Sequence, residues 1–546
     1  MFLSYEETLG FVTVMRVLIL GSSGLLGSKL LDKFSRKTKT LGTFYSKSHK
    51  AKTYKNVLHL DVSNHNLVES FILEFRPDVI IYSASVSRPD LCEENAELAE
   101  SVNFLAVKNV ASICSTLGVK LVYISTDYVF DGKSSEYSEE DKKAPLNVYG
   151  ETKKKAEEFL LNFLPNCIIV RSGLVFGYSP YTEGRGFLHN VMEKLQNNEK
   201  VEADNELLVY PILADDISEN ISLLIDRDES GVFHIANDQC YTKFTFAKII
   251  AKEYGLNDSL VRDVASSSKK LRAKRPRGVF LSTKKIRRIL GSNFVMTTVS
   301  EAVKVHRRQF GCMFRLIYSV RPDMLVAGQN ASEFRIGVGK LLAKESPIDT
   351  VDCVIPIPES GIYSATGVSA ESGKPLFFGL IRDYFTEKTL YSATSKDRYQ
   401  SLQRKLIPVE SVIFGKKVAL VDEAVLSGAT LSVVVERVKA AGAAEVHVRI
   451  PSPIMTNACN GRVLPSLSLA YEDALIEKKR ISIEKSEFEE FLAQKFGVSS
   501  FKFLSTSAFM SALTEKSMIR CADCFLGEFK NIHIQKSNYL EVEQNY

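Results

Sequence analysis

Two α/β domains in tandem, the first built on a doubly wound parallel sheet, are what this 546-residue sequence predicts. The length exceeds what one hydrophobic core fills, so two or three domains are expected. Short, fully apolar runs alternate with helical segments through the first half, the pattern of a parallel sheet covered on both faces. Finally, two strand-to-helix turns are rich in small residues: GSSGLLG at 21–27 and LSGAT at 426–430.

The opening stretch 1–14, MFLSYEETLGFVTV, carries acids and lacks a basic segment followed by an apolar one. It therefore reads as a short leader, or as residues ahead of a start at Met15, and not as a signal peptide. The net charge of +5 is small for the length and gives little reason to expect nucleic acid as a partner. No apolar run approaches the roughly 18 residues that span a bilayer. A cytoplasmic protein is expected, whose nine cysteines are thiols or metal ligands.

The first domain is placed at 15–308. MRVLIL is a buried strand, and Gly21, Gly24 and Gly27 follow it at the turn into a helix. Glycines there allow a tight turn and let a pyrophosphate approach the helix N-terminus. The next strand, TKTLGTFYS, should end near an adenosine ribose. Ser46 and Lys47 stand there in place of an acid, which favours NADP(H) over NAD. VLHLDVS, RPDVIIYSAS and VKLVYISTDYVFDG continue the sheet, with ENAELAESVNFLAVKNVASICSTLG as helix between the last two. Thr126 lies at the end of the last strand. Tyr149 and Lys153 follow in VYGETKKKAEEF, four apart and hence on one helix face. An ammonium beside a phenol favours the phenolate, which predicts a tyrosine acidified toward neutral pH.

With GSSGLLG, RPDVIIYSAS, Cys92 and Asn103 in the CEENAELAESVN stretch, STDYVFDG, YGETK, RSGLVFG and AKRPRGVFLSTKKI, residues 15 to about 305 resemble the dTDP-4-dehydrorhamnose reductases. These are extended short-chain dehydrogenase/reductases with a Rossmann-like sheet. The resemblance implies NADPH-dependent reduction of a 4-keto deoxysugar nucleotide, with Thr126, Tyr149 and Lys153 catalytic. It implies a cofactor site of Gly21, Ser23, Gly24, Leu25, Leu26, Gly27, Ser46, Lys47, Asp61, Val62, Ser83, Ala84, Ser85 and Asn103. Ser83 and Leu174 depart from the family pattern and leave the sugar open. The same fold also serves as a non-catalytic regulatory subunit, so activity does not follow from fold alone. Ten Lys and Arg residues between Lys269 and Arg288 suggest a nucleic-acid patch or a diphosphate-facing surface; without interleaved aromatics, the second is expected.

The second domain is placed at 309–546. VDCVIPIPESG is a strand ending in a turn with Glu359, Ser360 and Gly361, and KKVALVDEAVLSGAT is a strand ending in a loop that opens a helix. Backbone amides of Ser427, Gly428, Ala429 and Thr430 at a helix N-terminus suit a 5′-phosphate, and Asp422 and Glu423 suit ribose hydroxyls. Magnesium would bridge ribose and pyrophosphate.

Over residues 311 to 530 this half resembles the type I phosphoribosyltransferase domain of the glutamine phosphoribosylpyrophosphate (PRPP) amidotransferases. FRLIYSVRPDML, SGKPLFFGLIRDYF, KDRYQSLQRKL, AGAAEVHVRIPSPI and RCADCFLG track it in order. The resemblance implies phosphate contacts from Arg382, Arg398 and Lys405. It also implies a [4Fe-4S] cluster, or alternatively zinc, on Cys312, Cys459, Cys521 and Cys524. Asp422-Glu423 replaces an Asp-Asp pair, and the loop lacks its usual arginine. No glutaminase precedes the domain, so ammonia would come from solution or from a separate glutaminase partner. Cys92, Cys114, Cys167, Cys240 and Cys353 read as small core residues.

The whole predicts a bifunctional enzyme of nucleotide-sugar or cell-surface polysaccharide biosynthesis, a homo-oligomer with a nucleotide sugar and PRPP as ligands. The alternative is a non-catalytic NADP(H)- and PRPP-sensing scaffold.

Overall fold

The computed structural model describes residues 14–35, 37–45, 56–179, 186–265, 272–382, 406–457, 469–479, 482–514, 517, 519 and 521–526. The chain divides into two compact units, Met1–Lys304 and Val305–Tyr546, and the division falls inside the helix Val299–Phe310.

In the first unit seven strands form one sheet: β1 (Arg16–Leu20), β2 (Lys39–Phe44), β3 (Val57–His59), β4 (Val79–Tyr82), β5 (Lys120–Ile124), β6 (Ile168–Arg171) and β7 (Gly231–His234). Their order is β7-β6-β5-β4-β1-β2-β3, with every neighbouring pair parallel. Both faces are covered, which is why the central strands read as unbroken apolar runs. Val17, Ile19, Ile81 and Val122 enter one core, while Leu18, Leu20, Ile80 and Tyr82 enter the other, and all are fully buried. Helix α1 (Leu25–Phe34) closes the first core; α2 (Ala106–Leu117) and α3 (Val148–Phe163) close the second. The strand order reverses between β1 and β4, and sheets of this kind bind ligands at the carboxyl ends beside that point.

One predicted helix differs. The segment from ENAEL to CSTLG is interrupted by a π turn at Ser101–Leu105, which joins Ala96–Glu100 to α2. Such a widened turn shifts the register of the helix face, and here it buries Asn103 completely.

The second unit holds four parallel strands side by side in chain order: β8 (Cys353–Pro356), β9 (Lys417–Val421), β10 (Glu445–Ile450) and β11 (Ser500–Phe503). On one face lie α4 (Ala331–Glu345) and α5 (Ile362–Ser372), which approach through glycines. A Cβ on Gly339 would stand 2.1 Å from the Ser364 carbonyl oxygen. On the other face α6 (Ala429–Ala440) and α7 (Lys485–Phe496) bury Val434, Val438, Phe488 and Leu492.

Cys92, Cys114, Cys167 and Cys353 are buried, as expected, but Cys240 is exposed. It falls in the connection after β7, and connections run over the surface. Among the described residues no helix is long and apolar enough to cross a membrane.

Candidate functional site

The glycine loop is shaped by close backbone approaches. Gly21 has φ +88°, and a Cβ there would stand 2.6 Å from Ala84 Cα; at Gly27 it would stand 2.2 Å from the Gly21 carbonyl oxygen. Ser22 ties the loop to β2 by donating its N–H and Oγ–H to the Thr43 carbonyl oxygen at 2.8 and 3.0 Å. Gly42 makes that approach possible, since a Cβ there would meet Ser22 Oγ at 2.3 Å. Gly24 caps α1 without any side-chain bond. The N–H groups of the first turn, which begins at Leu25 and Leu26, therefore have no side-chain cap, the arrangement that receives an anion. Ser83 donates its N–H to the Leu20 carbonyl oxygen at 2.9 Å, which holds Ser83, Ala84 and Ser85 beside the loop. Asp61 and Val62 follow β3, and Asp61 Oδ1 accepts from Ser63 N and Oγ at 2.9 and 2.7 Å. A cradle that a Cβ would fill, opening on an uncapped helix, fits a dinucleotide pyrophosphate.

Next to it stand the three catalytic candidates. Thr126 follows β5, and Tyr149 and Lys153 lie on the first turns of α3, whose cap Asn147 accepts from Gly150 N at 2.8 Å. Lys153 Nζ donates to the Ile124 carbonyl oxygen at 2.9 Å and lies 4.8 Å from the Tyr123 ring centre. Burial takes its pKa down to about 7, against the pull of Glu157 one turn further along α3. Burial also drives the Tyr149 phenol upward, opposed by a hydrogen bond with Thr126. The expected acidified tyrosine is therefore corrected: burial dominates, with Asp127, Cys92 and Tyr128 adding to it, and the phenol is protonated at neutral pH. Thr126 Oγ1 donates to Asp127 Oδ1 at 2.9 Å, and burial pushes that carboxyl up to about 7.

Beneath the three runs a buried polar network. Glu157 is 0% exposed and accepts from Arg171 Nε at 3.0 Å and Nη2 at 2.8 Å, and from the Ser125 hydroxyl. Arg171 Nη1 lies 3.2 Å from His234 Nε2, while His234 Nδ1 lies 3.2 Å from the Ser282 carbonyl oxygen. Burial pushes His234 down to about 3, so the neutral ring donates at Nδ1 and accepts at Nε2. Much of the basic segment is likewise committed. Arg275 grips Asp90 at 2.8 and 3.2 Å, Arg272 pairs with Glu94, Lys284 with Glu136 and Arg287 with Asp238. Lys269 and Lys270 lie outside the described residues.

In the second unit, Ser360 Oγ and Glu423 N both donate to Asp422 Oδ1, at 3.0 and 2.9 Å, and burial raises Asp422 to about 6. Gly361 sits where a Cβ would meet the Val421 carbonyl oxygen at 2.2 Å. Gly428, at φ +76°, caps α6 with no side-chain bond, and Ser427, Ala429 and Thr430 are exposed around it. This turn fits a phosphate. Glu423 departs from expectation. It is 0% exposed, with Oε1 3.2 Å from Nη1 of Arg335, itself 3% exposed on α4. Arg335 also donates Nε to the Leu316 carbonyl oxygen at 3.1 Å and Nη2 to that of Val320 at 2.8 Å. The longer glutamate is thus turned into the core toward a buried cation, and the predicted ribose-hydroxyl role is corrected for it. Exposed Glu359 stands 3.8 Å from Arg382 Nη1; Arg398 and Lys405 lie outside the described residues.

The cysteine segments converge in part. Met313 N donates to the Cys521 carbonyl oxygen at 2.8 Å, Cys521 N to that of Gly311 at 3.0 Å, and Thr456 N to that of Cys524 at 2.9 Å. Cys459 lies outside the described residues. Among the described residues no group of three or more His, Cys, Asp or Glu side chains is disposed to hold a metal ion.

Residues 15–306, more than half of the chain, match the family described as RmlD substrate binding domain. The chain belongs to this family. Residues 329–451 of the same chain match the phosphoribosyl transferase domain. Among solved structures, the dTDP-4-dehydrorhamnose reductase of Bacillus anthracis in complex with NADP is 27% identical, with 54% of this chain covering 99% of that one at a TM-score of 0.48. A hypothetical dTDP-4-dehydrorhamnose reductase from Sulfolobus tokodaii is 30% identical, with 52% of this chain covering 98% of that one at a TM-score of 0.46. The second half is similar to the amidophosphoribosyltransferase of Methanocaldococcus jannaschii, 35% identical over 41% of this chain and 45% of that protein. It is also 37% identical to the chloroplastic amidophosphoribosyltransferase 1 of Arabidopsis thaliana, over 40% of this chain and 36% of that protein. The chain thus spans under half the length of these two curated relatives.

Within the RmlD-family unit, the structure brings the glycine loop, Asp61, Val62 and Ser83–Ser85 to the carboxyl edge of the sheet; Ser46 and Lys47 lie outside the described residues. Asn103 is the correction. Its Oδ1 accepts from Ser85 Oγ at 3.0 Å and Val86 N at 2.9 Å, and its Nδ2 donates to Val86 O and Thr152 Oγ1, both at 3.2 Å. An amide with both lone pairs and both protons engaged has no capacity left for a cofactor. Asn103 pins the loop after β4 to α3. Sequence reasoning missed Gly42, Glu157, Arg171 and Arg335. The inward face of α3 was the only signal available for Glu157, four residues after Lys153, and nothing in the sequence marked Arg335.

Proposed function

We propose that the RmlD-family unit reduces a 4-keto deoxysugar nucleotide with NADPH, and that the second unit binds PRPP with Mg2+ and transfers its phosphoribosyl group. The observation that carries the first half is buried Lys153, whose Nζ donates to the Ile124 carbonyl oxygen at the end of β5, two residues before Thr126, with Tyr149 one helical turn before it on α3. NADPH, gripped by Gly21–Gly27, would supply hydride to the keto carbon. Tyr149, held as a neutral phenol, gives its proton to the oxygen that becomes the new hydroxyl. Thr126 Oγ1 orients that oxygen, and Lys153 in its ammonium form stabilises the phenolate left behind. Exposed Lys274 and Arg277 remain for the diphosphate of the nucleotide.

NADPH oxidation with a panel of 4-keto deoxysugar nucleotides tests this reading, and a panel without turnover refutes it. Its pH profile follows from Lys153. Desolvation lowers the folded pKa to about 7, so the ammonium is present below that value and lost above it. The rate should fall as pH rises through about 7.

For the second unit the 5′-phosphate would sit on Ser427–Thr430, with Asp422 facing the ribose. Ammonia from solution or from a separate glutaminase would be the acceptor, and a place in nucleotide-sugar or cell-surface polysaccharide biosynthesis would unite the halves. A [4Fe-4S] cluster on Cys312, Cys459, Cys521 and Cys524 rests on the family resemblance alone: backbone bonds join 521 to 311 and 313, and 524 to 456, but the described side chains form no metal-binding group. Iron and sulfide analysis of anaerobically purified protein decides it. The inward turn of Glu423 favours a second reading, in which PRPP is bound without turnover. Pyrophosphate release from PRPP, Mg2+ and ammonia separates the two: release supports transfer, and binding without release supports sensing.

A further inference from the structure

The proposed reduction gives no task to Glu157, which is 0% exposed on the inward face of α3, four residues after Lys153. Residues four apart on a helix share a face, one turn on. Both side chains reach the end of β5, and they take hold of consecutive residues. Lys153 Nζ donates to the Ile124 carbonyl oxygen at 2.9 Å, and Glu157 Oε1 accepts the Ser125 hydroxyl. Thr126 is the next residue, so α3 fixes the two positions that lead into it.

Glu157 is also tied to β6. Arg171 Nε stands 3.0 and 3.2 Å from its two oxygens, and Nη2 donates to Oε2 at 2.8 Å. A forked pair of this kind fixes orientation as well as charge. Arg171 is itself 1% exposed and donates to the Glu139 carbonyl oxygen at 3.1 Å, with its guanidinium 5.1 Å from the Phe130 ring centre. Lys143, ahead of α3, places Nζ 3.4 Å from Glu157 Oε2 and 3.7 Å from Glu158 Oε1. Other ionisable neighbours are Lys153, Tyr123 of β5 and, beyond Arg171, neutral His234. Cys92 faces Lys153 from the helix Pro89–Glu94. Burial works against the Lys153 ammonium; Glu157 is the first influence in its favour, ahead of Cys92. Without the carboxylate, the lysine would face desolvation with the Arg171 and Lys143 cations uncompensated in the same network.

We infer that Glu157 is a positioning residue of the reductase site, holding the end of β5 through Ser125 and keeping the charge on Lys153 for the proton transfer at Tyr149. Its consequence for turnover rests on the proposed reduction. The coupling between Glu157 and Lys153 does not, and it is read without substrate.

Carbon-13 NMR of the full chain, labelled at lysine Cε, follows the titration of Lys153 directly, with Lys153→Arg assigning its signal. The parent signal should titrate at about pH 7, and that of Glu157→Gln about one unit or more lower, the size of shift that a nearby opposite charge produces. Because the single change leaves Arg171 unpaired, Glu157→Gln combined with Arg171→Met is measured beside it and should move in the same direction. Glu157→Asp keeps the charge and should bring the midpoint back toward the parental value. A Lys153 midpoint unmoved in Glu157→Gln, or in the double variant should the single one not fold, overturns the inference. With a keto-sugar substrate, Glu157→Gln should lose rate about tenfold at about pH 8 and less than about twofold at about pH 5.5, as a one-unit shift dictates. Equal loss at both pH values would leave Glu157 a purely structural role and likewise overturns it. Absence of keto-sugar turnover in the parent refutes the proposed reduction and leaves the coupling to the NMR titration.

Discussion

Tyr149→Phe lowers the rate of NADPH-dependent keto-sugar reduction by about 10²–10⁴-fold, the range supplied by a positioned general acid. The phenyl ring keeps the shape that packs against Tyr128, whose ring lies 5.9 Å away, so the fold is retained. NADPH affinity, followed by fluorescence titration, stays unchanged because the glycine loop is untouched. Thr126→Val, which loses only the orienting hydroxyl, costs less. If Tyr149→Phe reduces substrate at the parental rate, proton donation lies elsewhere. Asp127 is then the next candidate, since burial places its carboxyl near pH 7.

Arg335→Met destabilises the second unit by about 2–5 kcal/mol, the cost of leaving two buried carbonyl oxygens without their donors. The methionine fills the volume but removes the neighbour of the Glu423 carboxyl, and it leaves the carbonyl oxygens of Leu316 and Val320 without their donors. Urea unfolding monitors the change. Glu423→Gln should cost far less, because a neutral amide takes the place of a carboxyl that burial already keeps protonated at neutral pH. Glu423 also sets a pH dependence. Desolvation holds its folded pKa well above the ordinary 4.5, with Arg335 opposing and Asp422 adding to the shift. The unfolded chain therefore releases this proton first. The stability tied to the protonated form is complete below pH 4.5 and declines as pH rises above it. Glu423→Gln should flatten that decline, and an unchanged slope would place the titration on another group.

The two pairs of residues show where sequence reading succeeds. GSSGLLG lay between an apolar strand and a periodic helix; the positive φ at Gly21 and the approach of Gly27 to the Gly21 carbonyl oxygen are local, while the contact of Gly21 with Ala84 comes from the fold. Tyr149 and Lys153 were one turn apart on a helix, so their shared face was legible without coordinates. What the spacing could not supply was the dielectric around them. The phenol was expected to be acidic because of its ammonium neighbour, and burial by Tyr123, Tyr128 and the sheet edge reversed that. Asn103 shows a similar limit: the π turn at Ser101–Leu105 leaves no mark in an otherwise helical pattern, yet it decides that the amide faces inward.

The sequence by itself determined the two α/β units, the parallel sheets and the two small-residue strand-to-helix turns, because each depends largely on neighbours within a few residues and on a period of two or 3.6. Only the tertiary structure decided the ionisation of Tyr149 and Lys153 and the inward turn of Glu423. Those properties depend on which groups a fold brings together from distant positions, such as Arg335 to Glu423 and Glu157 to Arg171. They depend as well on how far water is excluded from them, and neither quantity is a local function of the chain.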